Sequence, residues 1–377
     1  MGNLIIMDAY IVDPDAYTCL GYGKDLQENL YDGKCGLTSV NSVFPDFFPE
    51  NSSKIGALSG LQPDESRLLQ ILHRIGTHLI PDEASACELI LGASSLGDLE
   101  GEFAGDPYGC IKHYLMNHKP RLAPLFKGVI SSACSSGTDV LSMAALMVNQ
   151  KKYDVIGVLA VDCLDRGKLL QHVTLGTQGP ECAMPFDINR KGTSFGEGGG
   201  FAIIANAKGL KKLNAKDIFS IRGFGMSCDA QHITAPDETG EIPALAISRA
   251  IAASSLLPSD IGYINAHASG TPLNDQVESI AFRKALGDAL DNIAVNGTKG
   301  AIGHLLGATG LVEAILTCWS LAGGYAPGTV GLRNKDTALN IPALIAGQSM
   351  KITKPIGLST TFGFGGVNSA IVIESLS

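Results

Sequence analysis

The chain has 377 residues, 45% of them hydrophobic and 17% charged, so it can bury a large core, and disordered, collagen-like and disulfide-scaffold classes fall away. Its formal net charge of −9 argues against general binding to nucleic acid, because neutralising phosphates takes a basic surface. Nine cysteines, an odd number with no Cys-x-x-Cys pair, suit neither a disulfide framework nor a zinc cage and read as reduced.

In chain order, Met1 to Tyr10 lacks the basic, apolar, small-residue order of a signal peptide. No stretch comes near the run of about 20 apolar residues that a membrane-spanning helix needs. A soluble, cytoplasmic protein without a membrane span is the expectation. His73 with His78, and His113 with His118, are each five apart, off the shared helical face that four-residue spacing gives, so no metal is expected.

Val129 to Ser132 is a short apolar, β-prone run ending at Cys134, and Ser135 to Val148, rich in Ala, Leu and Met, reads as a buried helix. A thiol at a helix N-terminus meets the positive end of the macrodipole and free N–H groups, which lowers its pKa and favours the thiolate. The same cysteine among small residues also suits inert core. Asp187 and Arg190, three apart after a strand, read as a structural ion pair.

Phe195-Gly196-Glu197-Gly198-Gly199-Gly200, with its following strand, is echoed 167 residues later by Phe362-Gly363-Phe364-Gly365-Gly366. Cys134 has a counterpart at a similar offset. Ile293 to Val295 reads as a strand, a glycine-rich turn carries His304, and Leu311 to Leu321 reads as a second buried helix. The chain therefore reads as two related α/β halves packed as one globular unit, split near Asn206 to Asn214. Lys208, Lys211, Lys212 and Lys216 read as a solvated connecting loop.

In the second half, Tyr263 and Ile264 lead as a strand into His267, which is followed by Ser269 and Thr271, with Pro272 suited to the first turn of a helix. Alone, His267 suits a hydrogen-bonded core histidine equally well. Lys299 and His304 share one glycine-rich segment, and Glu313 lies fourteen residues after Lys299. Neither a Walker A loop nor dinucleotide-binding spacing is present, so nucleotide cofactors find no support.

Together these segments resemble the β-ketoacyl synthase family, in the branch that elongates chains on acyl carrier protein. The resemblance rests on seven blocks in the family's order. These are Ala-Cys-Ser-Ser-Gly at 133–137; Pro-Phe-Asp-x-x-Arg-x-Gly at 185–192, leading to Gly196-Glu197; Asp-Ala-Gln-His-Ile-Thr-Ala-Pro at 229–236; Asn-Ala-His at 265–267; Thr-Pro-Leu-Asn-Asp at 271–275; Lys-x-x-x-Gly-His at 299–304; and Phe-Gly-Phe-Gly-Gly at 362–366.

The resemblance implies a duplicated thiolase-like fold of five layers, αβαβα, with pseudo-symmetric halves at 1–206, carrying the cysteine, and 207–377, carrying both histidines. It implies that Cys134 takes the acyl chain as a thioester, while His267 and His304 bind the malonyl thioester and promote loss of carbon dioxide. The N–H groups of Cys134 and Phe364 would form the oxyanion hole, and Phe364 would gate the pocket. Lys299 would hold His304 and pair with Glu313, Thr234, Ser269 and Thr271 would line a phosphopantetheine channel, and Glu197 would lie beside the site with no chemical step. No cofactor is expected to be bound; the substrates would ride on the phosphopantetheine of acyl carrier protein, in fatty acid, polyketide or aryl polyene synthesis. A homodimer, or a heterodimer with a related subunit, is implied.

Two departures stand out. Ala268-Ser269 replaces the family's usual Gly-Thr, so an extra methyl group is expected at the channel mouth, and the region before Cys134 is shorter than usual. Three other readings are open: a non-catalytic chain-length-factor subunit, which typically lacks the nucleophile; an acyltransferase or hydrolase, which would not need His304; and a thiolase, whose second cysteine is absent from the C-terminal pattern.

Overall fold

The computed structural model describes residues 7–45, 53–63, 65–81, 84 and 86–376. Five strands of the first half are β1 (Tyr10–Thr18), β2 (Leu89–Ala93), β3 (Phe126–Ile130), β4 (Val155–Asp162) and β5 (Gly198–Ala205). They lie in the order β3-β2-β4-β5-β1. Strand β2 pairs in parallel with β3 and β4, whereas β5 is antiparallel to β4 and β1. Every residue of β4 is buried, as expected of a continuous apolar run covered on both faces.

The second half repeats this order. Strands β6 (Ile218–Cys228), β7 (Tyr263–Asn265), β8 (Ala294–Asn296), β9 (Ile356–Phe362) and β10 (Val367–Ser375) run β8-β7-β9-β10-β6, with the same two parallel and two antiparallel pairings. The two sets join where Tyr10–Val12 of β1 pairs with Ile218–Ser220 of β6. The connection from β5 to β6 carries Lys208 and Lys212, both ion-paired to Asp154.

Seven of the helices among the described residues concern the layers: α1 (Arg67–His78), α2 (Pro107–His118), α3 (Ser136–Asn149), α4 (Arg166–Thr174), α5 (Glu241–Ser254), α6 (Pro272–Leu286) and α7 (Thr309–Gly323). Helices α1 and α2 cover the outer face of the first set of strands, and α5 and α6 that of the second. Between the sets lie α3 and α7, whose Val140, Leu141, Ala144, Leu311, Val312 and Ile315 share one apolar cluster. This is a thiolase-like α/β fold in five layers.

The position of α7 corrects one expectation. Leu306–Gly323 is long and apolar enough by composition to cross a membrane, yet 83% of it is buried inside the fold. A helix enclosed between two sheets must be apolar all round, which imitates a membrane span.

Where α3 and α7 cross, a Cβ on Gly137 would run into the Leu311 backbone N, and one on Gly310 into Thr138. Glycine at both positions lets the first turns of the two helices touch. That contact sets the distance between the turns preceding each helix, and those turns carry Cys134 and His304.

Candidate active site

Cys134 stands between β3 and α3, after Ala133, whose φ of 53° is left-handed. This turn is held from inside: the Asp139 carboxylate accepts from Ser132 Oγ at 2.5 Å, Ser135 Oγ at 2.9 Å and Ser369 Oγ at 2.5 Å. Asp139 also lies in the first turn of α3, where a negative charge suits the helix dipole.

His267 stands after β7, before Ala268 at φ 45°. Its N–H donates to Glu278 Oε1 at 2.7 Å and that of Ala268 to Glu278 Oε2 at 2.7 Å, so one buried carboxylate on α6 clamps the turn. Thr360 Oγ1 also donates to Glu278, at 3.0 Å. Lys299, fully buried, donates from Nζ to the His267 carbonyl and lies 2.6 Å from Glu313 Oε1. Its main-chain partner is thus His267, not the neighbouring His304. The resemblance implied that Lys299 holds His304, whereas its long stem spans the gap between two loops to reach the His267 carbonyl.

His304 follows β8 and a short turn. Its Nδ1 accepts from the Leu306 N–H at 2.9 Å and lies 3.1 Å from Thr309 Oγ1. A ring nitrogen that accepts a backbone N–H carries no proton, so the neutral ring holds its proton on Nε2. Leu306 itself takes φ 52°. The following Gly307 N–H donates to Asp162 Oδ2 at 3.0 Å, and Asp162 pairs with buried Lys168 at 2.6 Å, which ties the His304 turn to the end of β4.

These residues share one cavity of about 400 Å³, lined by Cys134, His267, His304, Phe364, Thr234, Ser269 and Thr271 among others. Ser269 Oγ and Thr271 Oγ1 lie 3.0 Å apart on its wall. Six rings run around it in sequence: Phe364 to His172 at 5.7 Å, His172 to Phe195 at 3.9 Å, Phe195 to His304 at 5.8 Å, His304 to His267 at 5.2 Å and His267 to Phe362 at 6.2 Å. Gly363, between the two end rings, lies against the backbone N–H groups of Cys134 and Ser135.

The electrostatics differ from the expectation at the thiol. Burial pushes Cys134 up to about 11, against the Phe364 N–H and the Lys299 charge, which lower it. Burial, with Lys299 and the other imidazole beyond it, drives His267 well below the usual histidine range. Burial, Lys299 and His172 do the same to His304. Both rings are neutral at pH 7.

Other expectations resolve by geometry. The Asp187 side chain accepts from the N–H groups of Asn189, Arg333 and Asn334, while Arg190 pairs with Asp336 at 2.7 Å. The two form no side-chain ion pair; the Arg190 guanidinium donates instead to the Asp187 carbonyl at 3.0 Å. Glu197 is fully buried against Arg67 and accepts from Leu58 N and Leu164 N. Ala268 is wholly buried, and its methyl occupies the space that a Gly297 Cβ would take, so it fills the core behind His267 and not the channel mouth. Sequence reasoning missed Asp139, His172 and Glu278. Of these, Glu278 had a signal, a charge on the same helical face as the buried Ala281 and Phe282.

Residues 218–333 match the family model described as Beta-ketoacyl synthase, C-terminal domain. The chain is 34% identical over 256 residues to the mitochondrial 3-oxoacyl-[acyl-carrier-protein] synthase of Arabidopsis thaliana, covering 65% of this chain and 55% of that one. It is 40% identical over 190 residues to 3-oxoacyl-[acyl-carrier-protein] synthase 2 of Synechocystis sp., covering 50% and 45%. Against the enzyme of the same name from Vibrio cholerae it is 32% identical over 258 residues, covering 66% and 62%. The chain thus spans about half the length of the curated relatives it matches.

Among solved structures, a ketosynthase in complex with its chain length factor from Xenorhabdus doucetiae aligns with a TM-score of 0.81 at 26% identity, covering 98% of each chain. A beta-ketoacyl synthase from Burkholderia phymatum aligns at 0.84 and 22%, covering 98% of this chain and 100% of that one. A type II polyketide acyl-carrier protein in complex with its ketosynthase bound to the hexaketide gives 0.86 and 21%, with the same coverage. These last two likenesses concern the fold.

Proposed function

Because this chain belongs to the β-ketoacyl synthase family, we propose that it catalyses the decarboxylative condensation of an acyl group on Cys134 with a malonyl thioester on acyl carrier protein. The observation that carries the reading is the pair of neutral imidazoles sharing one cavity with Cys134, one of them with its proton fixed on Nε2.

In the first step the Cys134 thiol loses its proton and its sulfur attacks the acyl-carrier thioester. The carrier thiol leaves with a proton, and the acyl group stays on sulfur. The N–H groups of Cys134 and Phe364 hold the oxyanion, a role supported by the Phe364 N–H already directed at the thiol. In the second step the malonyl group loses carbon dioxide, and its electron pair moves to the thioester oxygen as an enolate. His267 and His304 donate hydrogen bonds to that oxygen and, being neutral, leave the nucleophilic carbon unprotonated. The carbon attacks the acyl-cysteine, a carbon–carbon bond forms, and Cys134 departs as thiolate to be reprotonated.

Lys299 and Glu313 are positioning residues for His267. Phe364, between Gly363 and Gly365, gates the cavity, and Thr234, Ser269 and Thr271 line the phosphopantetheine channel. The substrates belong to fatty acid or polyketide synthesis. The chain works as a dimer with a copy of itself or a related subunit; the outer edge of β3 has no strand partner among the described residues, and Met143 and Leu146 lie exposed on adjacent α3. The halves divide at 206/207, a division that the repeated strand order supports.

Incubation with acyl- and malonyl-loaded carrier protein, read by intact mass spectrometry, tests the reading. A two-carbon β-keto extension by wild type and none by Cys134→Ala is expected. Equal extension by both overturns it.

A further inference from the structure

A third imidazole faces the cavity and takes no part in the chemistry above. His172, on the last turn of α4, is 8% exposed, its ring stacked on Phe195 and packed against Phe364. Its Nδ1 lies 3.1 Å from Thr177 Oγ1. Its Nε2 has no partner among the described residues, yet it is not sealed off as His267 Nδ1 is. The ring is also neutral, since burial and the Lys168 charge bring it down to about 4.

A hydrocarbon chain laid against that nitrogen strips its hydration and returns nothing, whereas an oxygen substituent replaces the lost bond. Phe364, whose ring His172 touches, directs its N–H at the Cys134 sulfur. His172 and Cys134 line the same cavity, so the imidazole is placed to meet an acyl group held on that sulfur.

Resting on the condensing reading, we propose that His172 is a specificity-determining residue that hydrogen-bonds an oxygen at C3 of the acyl chain on Cys134, so that the site favours 3-oxygenated acyl groups over saturated ones. A site built to pair a polar substrate atom rejects the analogue lacking it by tenfold or more, because its own buried group is left unpaired. A 3-oxo group needs the proton on Nε2, and a 3-hydroxyl serves either tautomer.

The test follows acylation of Cys134 by intact mass spectrometry, without malonyl carrier, using butyryl-, 3-oxobutyryl- and 3-hydroxybutyryl-carrier protein. At least one oxygenated group is expected to load roughly tenfold faster than butyryl. His172→Phe should erase that difference by speeding butyryl transfer, and His172→Gln should keep part of it. Wild-type loading of butyryl as fast as both oxygenated groups overturns the role of His172 and leaves condensation standing. Failure of all three groups to load Cys134 overturns the condensing reading and this one with it.

Discussion

Lys299 grips His267 by its main chain: the ammonium donates to the His267 carbonyl while Glu313, 2.6 Å away, balances its charge in a fully buried site. The lysine thus acts at once on the position of one imidazole and on the protonation of both, since its charge helps keep them neutral.

Replacing Lys299 with Met leaves Glu313 buried and unpaired, which should cost about 3–5 kcal/mol in urea unfolding. The double variant Lys299→Met/Glu313→Leu should regain most of that stability. Malonyl-carrier decarboxylation should stay impaired in both, because neither holds the His267 carbonyl. Full recovery of decarboxylation in the double variant would show the pair to be structural only.

Cys134, held up to about 11, should be a sluggish thiol at neutral pH despite its helix. Its alkylation by iodoacetamide should rise about tenfold per pH unit from 7 towards 10, following the thiolate fraction. A plateau below pH 8 would contradict the burial argument. The sign for stability follows: the folded value lies above the unfolded one, so the contribution of this group is full below about pH 9 and is lost as pH rises through about 11.

Much of this arrangement is written locally in the chain. The helices after Cys134 and His304 are long apolar runs, and His267 follows the end of β7 and precedes a proline suited to a first helical turn, so length and composition suffice to place all three side chains at strand-to-helix junctions. What the chain does not spell out locally is burial and reach. The thiol was expected to be acidic from its helix, but the layers stacked around it decide otherwise. Lys299 spans to the far loop, and Asp187 and Arg190 find other partners. His172, between Gln171 and Val173 on a mixed helix, carries no motif. Only the fold lays it across Phe195.

The fixed proton on His304 gives a graded expectation. His304→Asn should slow malonyl decarboxylation about 10²–10³-fold, the usual loss of one enolate donor. Thr309→Val removes the hydroxyl beside Nδ1 but keeps the Leu306 N–H, so the tautomer survives and the rate should fall less than about tenfold. Equal losses in the two variants would mean that the hydroxyl, not the main chain, sets the proton.

Glu278 is raised to about 8 by burial, against the Ala268 and His267 N–H groups that lower it. A folded value above the unfolded one gives stability that is full below about pH 4.5 and lost as pH rises through about 8. Wild type should therefore exceed Glu278→Gln in thermal stability most near pH 5, and the gap should narrow by pH 9. A gap that widens with pH would reverse the assignment. The variant should also condense more slowly, because its single amide oxygen cannot receive both N–H groups of the His267 turn.

Strand β1 pairs on one side with Gly199–Ala205 of β5 and on the other with Ile218–Ser220 of β6. As the chain is made, this strand finds neither neighbour until about 180 residues have followed it, since Tyr17 pairs with Gly199. Pairings this remote in sequence form slowly, and strand edges left waiting attract other chains. Production of this protein should depend on chaperones that shelter the nascent N-terminal region, more than a final fold with so much buried surface would suggest.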